Sequence, residues 1–222
     1  MADELEKADD FDDAVLKLIC KTIMEHQRVI FDGNGYSKEW VEEAEKRGLP
    51  NKPSFVNAIE SLTYADTVRV FEKHGVLSKA ELQARAEIDY EIYSKTTNIE
   101  ANTMIEMASR KFIPAAIKYA GILADAINSI SSALDEREAD NEREMLGECL
   151  ELIGDARRTL KRLSDNVNTA ARISNEEEKA HYFRDYVVKA MQALRESVDA
   201  LELQVDAELW PVPTYGELIF EV

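Results

Sequence analysis

The chain has 222 residues, of which 45% are hydrophobic, and this is enough to bury a sizeable core in one large or two small domains. Its formal net charge of −17 at pH 7 argues against a nucleic-acid partner, because binding to phosphate backbones depends on Lys and Arg. No apolar run approaches the roughly 18 residues that a membrane span requires, and the acidic start MADELEKADD is unlike a secretory leader, so we expect a cytoplasmic protein without a membrane partner.

Composition also predicts the fold class. Only 8 Gly and 5 Pro are present, whereas Ala, Leu, Glu, Lys and Arg dominate long uninterrupted stretches. We therefore expect an all-α protein, an elongated antiparallel helical bundle with a smaller N-terminal helical part and an extended C-terminal tail. The two cysteines, Cys20 and Cys149, fall in separate helical patterns without metal-ligand spacing, and each is interpreted as a small core hydrophobe.

The N-terminal part, residues 1–77, is predicted to consist of short helices. Apolar residues recur at helical spacing from Phe11 onward, and we expect this first helix to end at the turn-forming sequence DGNG, residues 32–35. Ser37 is placed to cap a second short helix, which Gly48 is expected to terminate.

Residues 78–207 form the predicted long-helix bundle. Ser78 and Glu81 match a capping box, and no strong helix breaker follows for more than thirty residues. One very long helix, or two nearly collinear helices, should therefore begin here. Pro114 cannot donate to the carbonyl four residues earlier, so we expect a kink or a break near residues 110–113.

The last two helices of this bundle carry regular apolar stripes with steps of three and four residues. The first stripe comprises Leu146, Leu150, Ile153, Leu160, Leu163 and Val167, and the second comprises Ala180, Phe183, Val187, Met191, Leu194, Val198, Leu201 and Val205. Ser174 and Glu177 suggest a second capping box between them. The turn should therefore be short and the two helices antiparallel, within a bundle of three or four helices.

Residues 208–222 form the predicted extended tail. Pro211 and Pro213 favour an extended path, and the sequence GELIFEV that follows is compatible with a short edge strand or a docked strap. An exposed WPVPTYGELIF segment would form an apolar patch that promotes association, so we expect it to pack, either on its own bundle or on a partner surface.

No catalytic or metal-binding motif is evident. Glu43 and Glu45 lie two apart, so on a helix their carboxylates point to different sides and cannot chelate one ion. The Gly-Asn-Gly sequence at residues 33–35 lacks the spacing of a phosphate-binding loop and is interpreted as a turn. Glu178 and His181 form one Glu-x-x-His element, whereas helical di-iron sites use two, so we interpret it as a solvated helix start.

Four segments, in this order along the chain, carry a family resemblance. They are FDGNGYSKEWVEEAEKRGLPN from Phe31, FEKHGVLSKAEL from Phe71, NIEANTMIEMASRKFIPAAIKY from Asn98, and WPVPTYGELIF from Trp210. Together they resemble the C-terminal region of type III glutamine synthetase, and the resemblance covers roughly residues 10–222.

The resemblance implies a parent enzyme that is an ATP- and Mg-dependent glutamate–ammonia ligase of nitrogen assimilation, assembled into large ring-shaped homo-oligomers. In that family a catalytic barrel precedes this region and holds the metal-binding carboxylates. We therefore expect no cofactor and no ligase activity in this chain alone, and a role in assembly or active-site support. The expected partners are the parent catalytic barrel and neighbouring subunits. The alternatives are a free-standing helical protein-interaction module without ligase activity, and a helical metal or cofactor protein.

The candidate interface residues lie in the third segment and in the tail. The third segment places polar side chains along one helix whose apolar residues, Ile99 and Ile117 among them, are expected to be core. This polar set forms either a buried network within the bundle or a face that meets the barrel or an adjacent subunit, where Arg110 would seek a carboxylate. The candidates are Asn98, Glu100, Asn102, Arg110, Trp210 and Tyr215.

Overall fold

The computed structural model describes residues 1–213 and 215–220, with the side chains of Tyr215, Gly216 and Phe220 excepted. All regular elements within these residues are helical, which confirms the all-α prediction. Packing divides the chain into two units, Met1–Ala58 and Ile59–Val222. The predicted division at residues 77 and 207 follows helix length instead of packing, and it stays a prediction.

The first unit contains short helices. They are α1 (Ala2–Leu5), α2 (Phe11–Glu25), a 3₁₀ turn (Gln27–Val29), α3 (Lys38–Lys46) and the start of α4 (Phe55–Ile59). The prediction that the first helix reaches residues 32–35 is wrong, because α2 ends at Glu25 and the chain tightens into the 3₁₀ turn. Arg47 holds the chain just after this turn, since its Nη1 donates to the Ile30 carbonyl at 2.7 Å.

Aromatic stacking organises the remainder of this unit. The rings of Phe31 and Trp40 stack with centroids 4.3 Å apart, and the Arg47 guanidinium lies 5.7 Å from the Trp40 centroid. Ser37 caps α3 by accepting the Trp40 amide, and Gly48 ends the helix with φ of +69°, so both predicted signals are confirmed.

The second unit contains the long helices. Its α-helices are α5 (Ala65–Lys73), α6 (Lys79–Met107), α7 (Ile113–Ala133), α8 (Asp140–Ala170), α9 (Glu176–Tyr182), α10 (Val188–Glu202) and α11 (Tyr215–Phe220). The predicted capping box at the start of α6 is confirmed, because the Glu81 amide donates to Ser78 Oγ and the Ser78 amide donates to Glu81 Oε2 at 2.7 Å.

A π-helical segment, Ala108–Phe112, joins α6 to α7. The Ile113 amide donates to the carbonyl of Ala108, five residues earlier, and Pro114 follows within the first turn of α7. The irregularity predicted near residues 110–113 is therefore confirmed. It is not a break, because Met107 keeps helical dihedrals of −62° and −48°.

A second π segment, Phe183–Val187, joins α9 to α10, with the Val188 amide donating to the Phe183 carbonyl. Proline is absent from this stretch, so the sequence carried no signal for it. The predicted cap of α9 was displaced by one residue: Asn175, not Ser174, accepts the Glu178 amide, at 2.9 Å. Asn is as good an N-cap residue as Ser, and the residue that adopts the extended backbone before the helix takes the role.

Side-chain contacts establish that α8 and α10 are antiparallel, as predicted. Asn166, near the end of α8, donates to the carbonyl of Tyr186 just before α10 at 3.2 Å. At the opposite end, Gln204 donates to Glu148 at 3.1 Å. Helices α7 and α8 also run antiparallel, since residues late in α7 pair with residues early in α8, as in the contact from Arg143 to Ser131.

The main hydrophobic cluster lies where these helices meet. Its large fully buried side chains include Leu163, Leu194, Leu201, Val187 and Cys149. The expectation of a core cysteine is thus confirmed for Cys149 and wrong for Cys20, which is exposed because no residue of α2 is buried.

Two sequence-based expectations for the bundle are wrong. Ile99 and Ile117 are 66% and 54% exposed, because small residues such as Ala101 and Ala116 face the core in their place. In the tail, the backbone of Tyr215–Phe220 is helical and not a strand, since no unpaired sheet edge exists among the described residues to receive one.

Candidate interaction surface

The outer side of α6 carries a ladder of local hydrogen bonds. Asn102 Nδ2 donates to the Asn98 carbonyl at 2.7 Å and to Asn98 Oδ1 at 3.1 Å. One residue further around, Thr103 Oγ1 donates to the Ile99 carbonyl at 2.9 Å. These bonds hold the polar side chains against their own helix, so the surface presents an ordered arrangement with the exposed Ile99 side chain beside it.

Arg110 ends this ladder. Its Nη1 lies 3.1 Å from Glu106 Oε1, one helical turn earlier, and both side chains are largely exposed. The guanidinium thus finds a carboxylate within its own helix, and its contact with another chain stays a prediction. Pairs of this kind contribute about 0.3–0.5 kcal/mol to helix stability, which leaves both groups available to other partners.

The predicted set does not form a buried network. Asn98 is half-buried, whereas Glu100, Asn102 and Arg110 are exposed. Glu100 is two residues from both Asn98 and Asn102, so it points to a different side of α6. The polar residues that the bundle does bury on α6 are Ser94 and Thr97, neither of which was singled out from the sequence.

Trp210 lies inside the bundle. It is 8% exposed, and its ring stacks on Phe112 of the first π segment with centroids 5.0 Å apart and an interplanar angle of 15°. Its indole N–H has no acceptor among the described residues. Between the two ways of packing left open for the tail, Trp210 packs on its own bundle. The Tyr215 side chain lies outside the described residues.

A polar cluster surrounds the second π segment, and of its members only His181 was considered from the sequence. Arg184 Nε and Nη2 donate to the Asp185 carboxylate at 2.8 and 2.7 Å, and His181 Nε2 lies 3.6 Å from Glu60 Oε1. The hydrogen bond from Arg184 holds the pKa of Asp185 below its ordinary value. Burial raises the pKa of the nearby Tyr93 hydroxyl. The sequence signal was the Arg-Asp pair, which is common enough to be uninformative alone.

The residues weighed from the sequence for metal or phosphate binding make structural contacts. Among the described residues, no group of three or more His, Cys, Asp and Glu side chains is placed to hold a metal ion. His181 faces Glu60. The Gly-Asn-Gly sequence is a turn in which Asn34 Oδ1 accepts the Tyr36 amide. No helix in the described part of the chain is long and apolar enough to cross a membrane.

The described residues form an all-helical unit in which long helices pack around one main hydrophobic cluster, and this defines a class of helical-bundle domains. Residues 14–131 match the family described as the glutamine synthetase C-terminal domain, and the chain belongs to that family.

Relatives in three organisms support the same assignment. The chain is similar to the type-3 glutamine synthetase of Dictyostelium discoideum, at 31% identity over 92% of this chain and 28% of the relative. It is also similar to a glutamine synthetase of Butyrivibrio fibrisolvens, at 31% identity over 96% of this chain and 31% of the relative. A glutamine synthetase of Bacteroides fragilis (strain YCH46) is 26% identical over 94% of this chain and 29% of the relative. The chain thus spans less than a third of each relative.

Proposed function

We propose that this chain serves as the C-terminal helical domain of a glutamine synthetase, an ATP-dependent glutamate–ammonia ligase, and supports assembly or the active site without being catalytic alone. The observation that carries the proposal is the pattern of coverage. At least 92% of this chain aligns with each of three glutamine synthetases, yet it accounts for at most 31% of their length. A free-standing interaction module is not favoured, because all three relatives carry the segment within a larger protein.

The chemistry of the described residues supports the non-catalytic part of this proposal. Forming a γ-glutamyl phosphate requires carboxylates that hold divalent cations near the transferred phosphoryl group. The described acidic side chains are mostly solvated, and several are occupied by neighbouring cations on the same helix, such as Glu106 with Arg110 and Asp199 with Arg195. We propose that ATP and magnesium bind to the parent enzyme outside this chain.

The outer side of α6 is our proposed contact with the catalytic barrel or a neighbouring subunit. Ile88, Ile92 and Ile99 are each more than half exposed along this helix, next to the ladder that ends at Arg110. Exposed apolar side chains flanked by ordered polar groups are typical of a protein interface.

A chimera tests the proposed function. This chain would replace the matching C-terminal segment of the Butyrivibrio fibrisolvens relative, and a second variant of that relative would lack the segment. We expect the chimera to form γ-glutamyl hydroxamate with ATP and magnesium and to assemble like the relative, as measured by analytical ultracentrifugation. The truncated variant should lose both properties, because its interfaces are incomplete.

The chain alone provides the control, and it should show no hydroxamate formation above background in a preparation free of host synthetase. If the truncated relative is as active and as fully assembled as the intact one, the segment has no supporting role and the proposal fails. Activity of the chain alone would equally contradict it.

A further inference from the structure

Helix α2 of the first unit carries its charged side chains on one narrow stripe. Four of its five charged residues follow one another in steps of four, namely Asp13, Lys17, Lys21 and Glu25. Lys17 and Asp13 are paired, with Nζ 2.6 Å from Oδ2. Apart from Asp12 in the first turn and Thr22, the rest of the helix surface is formed by Ala, Val, Leu, Ile, Met, Phe and Cys. A helix with this little polar surface is normally covered by protein on most of its sides.

The short helix α1 lies against one side of α2. Met1 and Leu5 line a shallow groove together with Val15 and Leu18, and the latter two side chains are half-buried. Helix α1 has 4 residues and α2 has 15. These lengths correspond to about 6 Å and about 22 Å of helix, so α1 is too short to cover the apolar surface of α2 along its length.

A second apolar stripe on α2 stays exposed. We call it the α2 stripe, and it comprises Leu16, Ile19, Cys20, Ile23 and Met24. Its four large side chains are between 49% and 71% exposed, and Cys20 is exposed as well. Spacings of three and four residues place all five side chains on one face, as in helices that pack into an apolar groove of a partner. The α2 stripe therefore fits a contact that the described residues do not supply.

Charge argues against a second copy of this chain as the occupant of the α2 stripe. Each copy has a formal net charge of −17 at pH 7, so two copies repel each other. An apolar patch on a protein of lower charge density avoids this repulsion and offers the same hydrophobic gain.

The relatives indicate which polypeptide lies next to α2. Residues 14–131 match a family described as a C-terminal domain, so the match begins within α2. More than two thirds of each relative lies outside the region shared with this chain, and for a C-terminal domain most of that length comes before it. Elements that follow one another in sequence usually pack together. The polypeptide that leads into α2 in the relatives is therefore the nearest source of a covering surface.

We propose that the α2 stripe packs on an apolar patch of the glutamine synthetase polypeptide that precedes this domain. The inference rests on the proposed function and extends it, because it assigns the first unit a contact of its own beside the one proposed for α6. This contact removes four large apolar side chains and Cys20 from solvent, while the charged stripe with Lys17 and Asp13 remains in water.

The thiol of Cys20 is a natural probe of this contact. The chain has two cysteines, and the other, Cys149, is fully buried, which raises the pKa of its thiol. Cys149 therefore reacts slowly, since the thiolate is the reactive form. Alkylation by iodoacetamide, followed by mass spectrometry of the peptide that contains Cys20, measures the accessibility of the α2 stripe. The rate is compared between the 222-residue chain and the chimera with the Butyrivibrio fibrisolvens relative.

We expect Cys20 to be alkylated at least about tenfold more slowly in the active, assembled chimera, because the contact must open before the reagent reaches the thiol. The position control is Glu25→Cys in a Cys20→Ser background, which places the thiol on the charged stripe at the opposite side of α2. Its alkylation rate should be the same in the isolated chain and in the chimera.

Two double variants identify the surface responsible. Leu16→Glu with Ile23→Glu puts charges on the α2 stripe, and the isolated chain should keep its fold because both side chains are exposed. In the chimera this variant should return Cys20 to the rate seen in the isolated chain. The matched control, Lys17→Ala with Lys21→Ala, makes the same change in net charge on the charged stripe and should leave Cys20 protected. Circular dichroism of the isolated chains checks the fold of each variant.

Full reactivity of Cys20 in an active, assembled chimera overturns this inference and leaves the proposed function intact, whereas an inactive and unassembled chimera overturns both. Slow alkylation of Cys20 in the isolated chain also overturns it. If that slowing grows with chain concentration, a second copy covers the α2 stripe, and if it does not, the second unit of the same chain covers it. Equal protection of Cys20 in the two double variants would likewise refute the contact.

Discussion

The burial of Trp210 was decided by the tertiary structure and not by its sequence context. Its position in the tail, just before Pro211, left packing on its own bundle or on a partner surface open, and the structure buries its ring against Phe112 within the main hydrophobic cluster. The stacked geometry and burial predict a contribution to folding of this chain, whatever Trp210 does in a larger assembly.

We expect Trp210→Ala to lower the free energy of unfolding by about 3 kcal/mol, since it removes a buried aromatic ring and leaves a cavity beside Phe112. Urea denaturation followed by circular dichroism measures the change. Tyr36→Ala is the matched control, because Tyr36 is fully exposed and its loss should cost less than about 0.5 kcal/mol. Equal stability of the two variants would show that Trp210 is not part of the core.

Arg110, in contrast to Trp210, has an exposed side chain that contributes little to folding of this chain. Its ion pair with Glu106 is exposed, so Arg110→Ala should cost this chain no more than about 0.5 kcal/mol. In the chimera with the Butyrivibrio fibrisolvens relative we expect the same change to weaken the oligomer, measured by sedimentation at decreasing protein concentration. Arg69→Ala, which removes a similarly exposed pair on α5, is the control. Identical sedimentation of both variants would remove Arg110 from the proposed interface.

At the scale of elements, the start of α6 is the best-defined helix terminus. Its Ser78 and Glu81 bond reciprocally, and the helix has no Pro or Gly through Met107. Ser78→Ala should destabilise the chain by about 1 kcal/mol, because one helix N–H loses its acceptor. Ser129→Ala is the control, since that exposed hydroxyl only contacts a carbonyl of its own helix. Differential scanning calorimetry compares the two variants.

The same terminus predicts a pH dependence. Hydrogen bonds from the Ser78 amide and hydroxyl lower the pKa of Glu81 in the folded chain. Its contribution to stability is therefore fully present above the unfolded-state pKa and is lost as pH falls through the lower folded-state pKa. We expect the Glu81→Gln variant to have a lower melting temperature than the unmodified chain at pH 7. The difference between the two melting temperatures should become smaller as the pH is lowered toward 3. A difference in melting temperature that does not change with pH would contradict this explanation.

At the scale of the whole molecule, the helices of the two units differ in how many of their side chains are buried. No residue of α2 is buried, whereas α8 buries residues along its length, Cys149, Ile153 and Leu163 among them. Backbone amides are protected from exchange when opening them exposes a packed core. The first unit should therefore open far more readily than the second.

Hydrogen exchange followed by mass spectrometry tests this difference within one sample. Peptides from α2 should exchange at least roughly a hundredfold faster than peptides from α8, with α10 as a second protected reference. In the chimera, slower exchange in α2 would locate an additional contact with the relative. Equal protection of α2 and α8 in the isolated chain would refute the difference between the units.

Sequence alone determined the helical class, the capping box at Ser78, the turn at Gly48, the irregularity before Pro114 and the family. Each of these depends on local backbone chemistry or on a contiguous pattern. Only the tertiary structure decided that Ile99 is exposed, that Trp210 is buried, that a π segment follows Tyr182, and that Ser94 of α6 is buried. The physical reason is that helical periodicity gives each helix its faces, but which face is covered depends on neighbours distant in sequence.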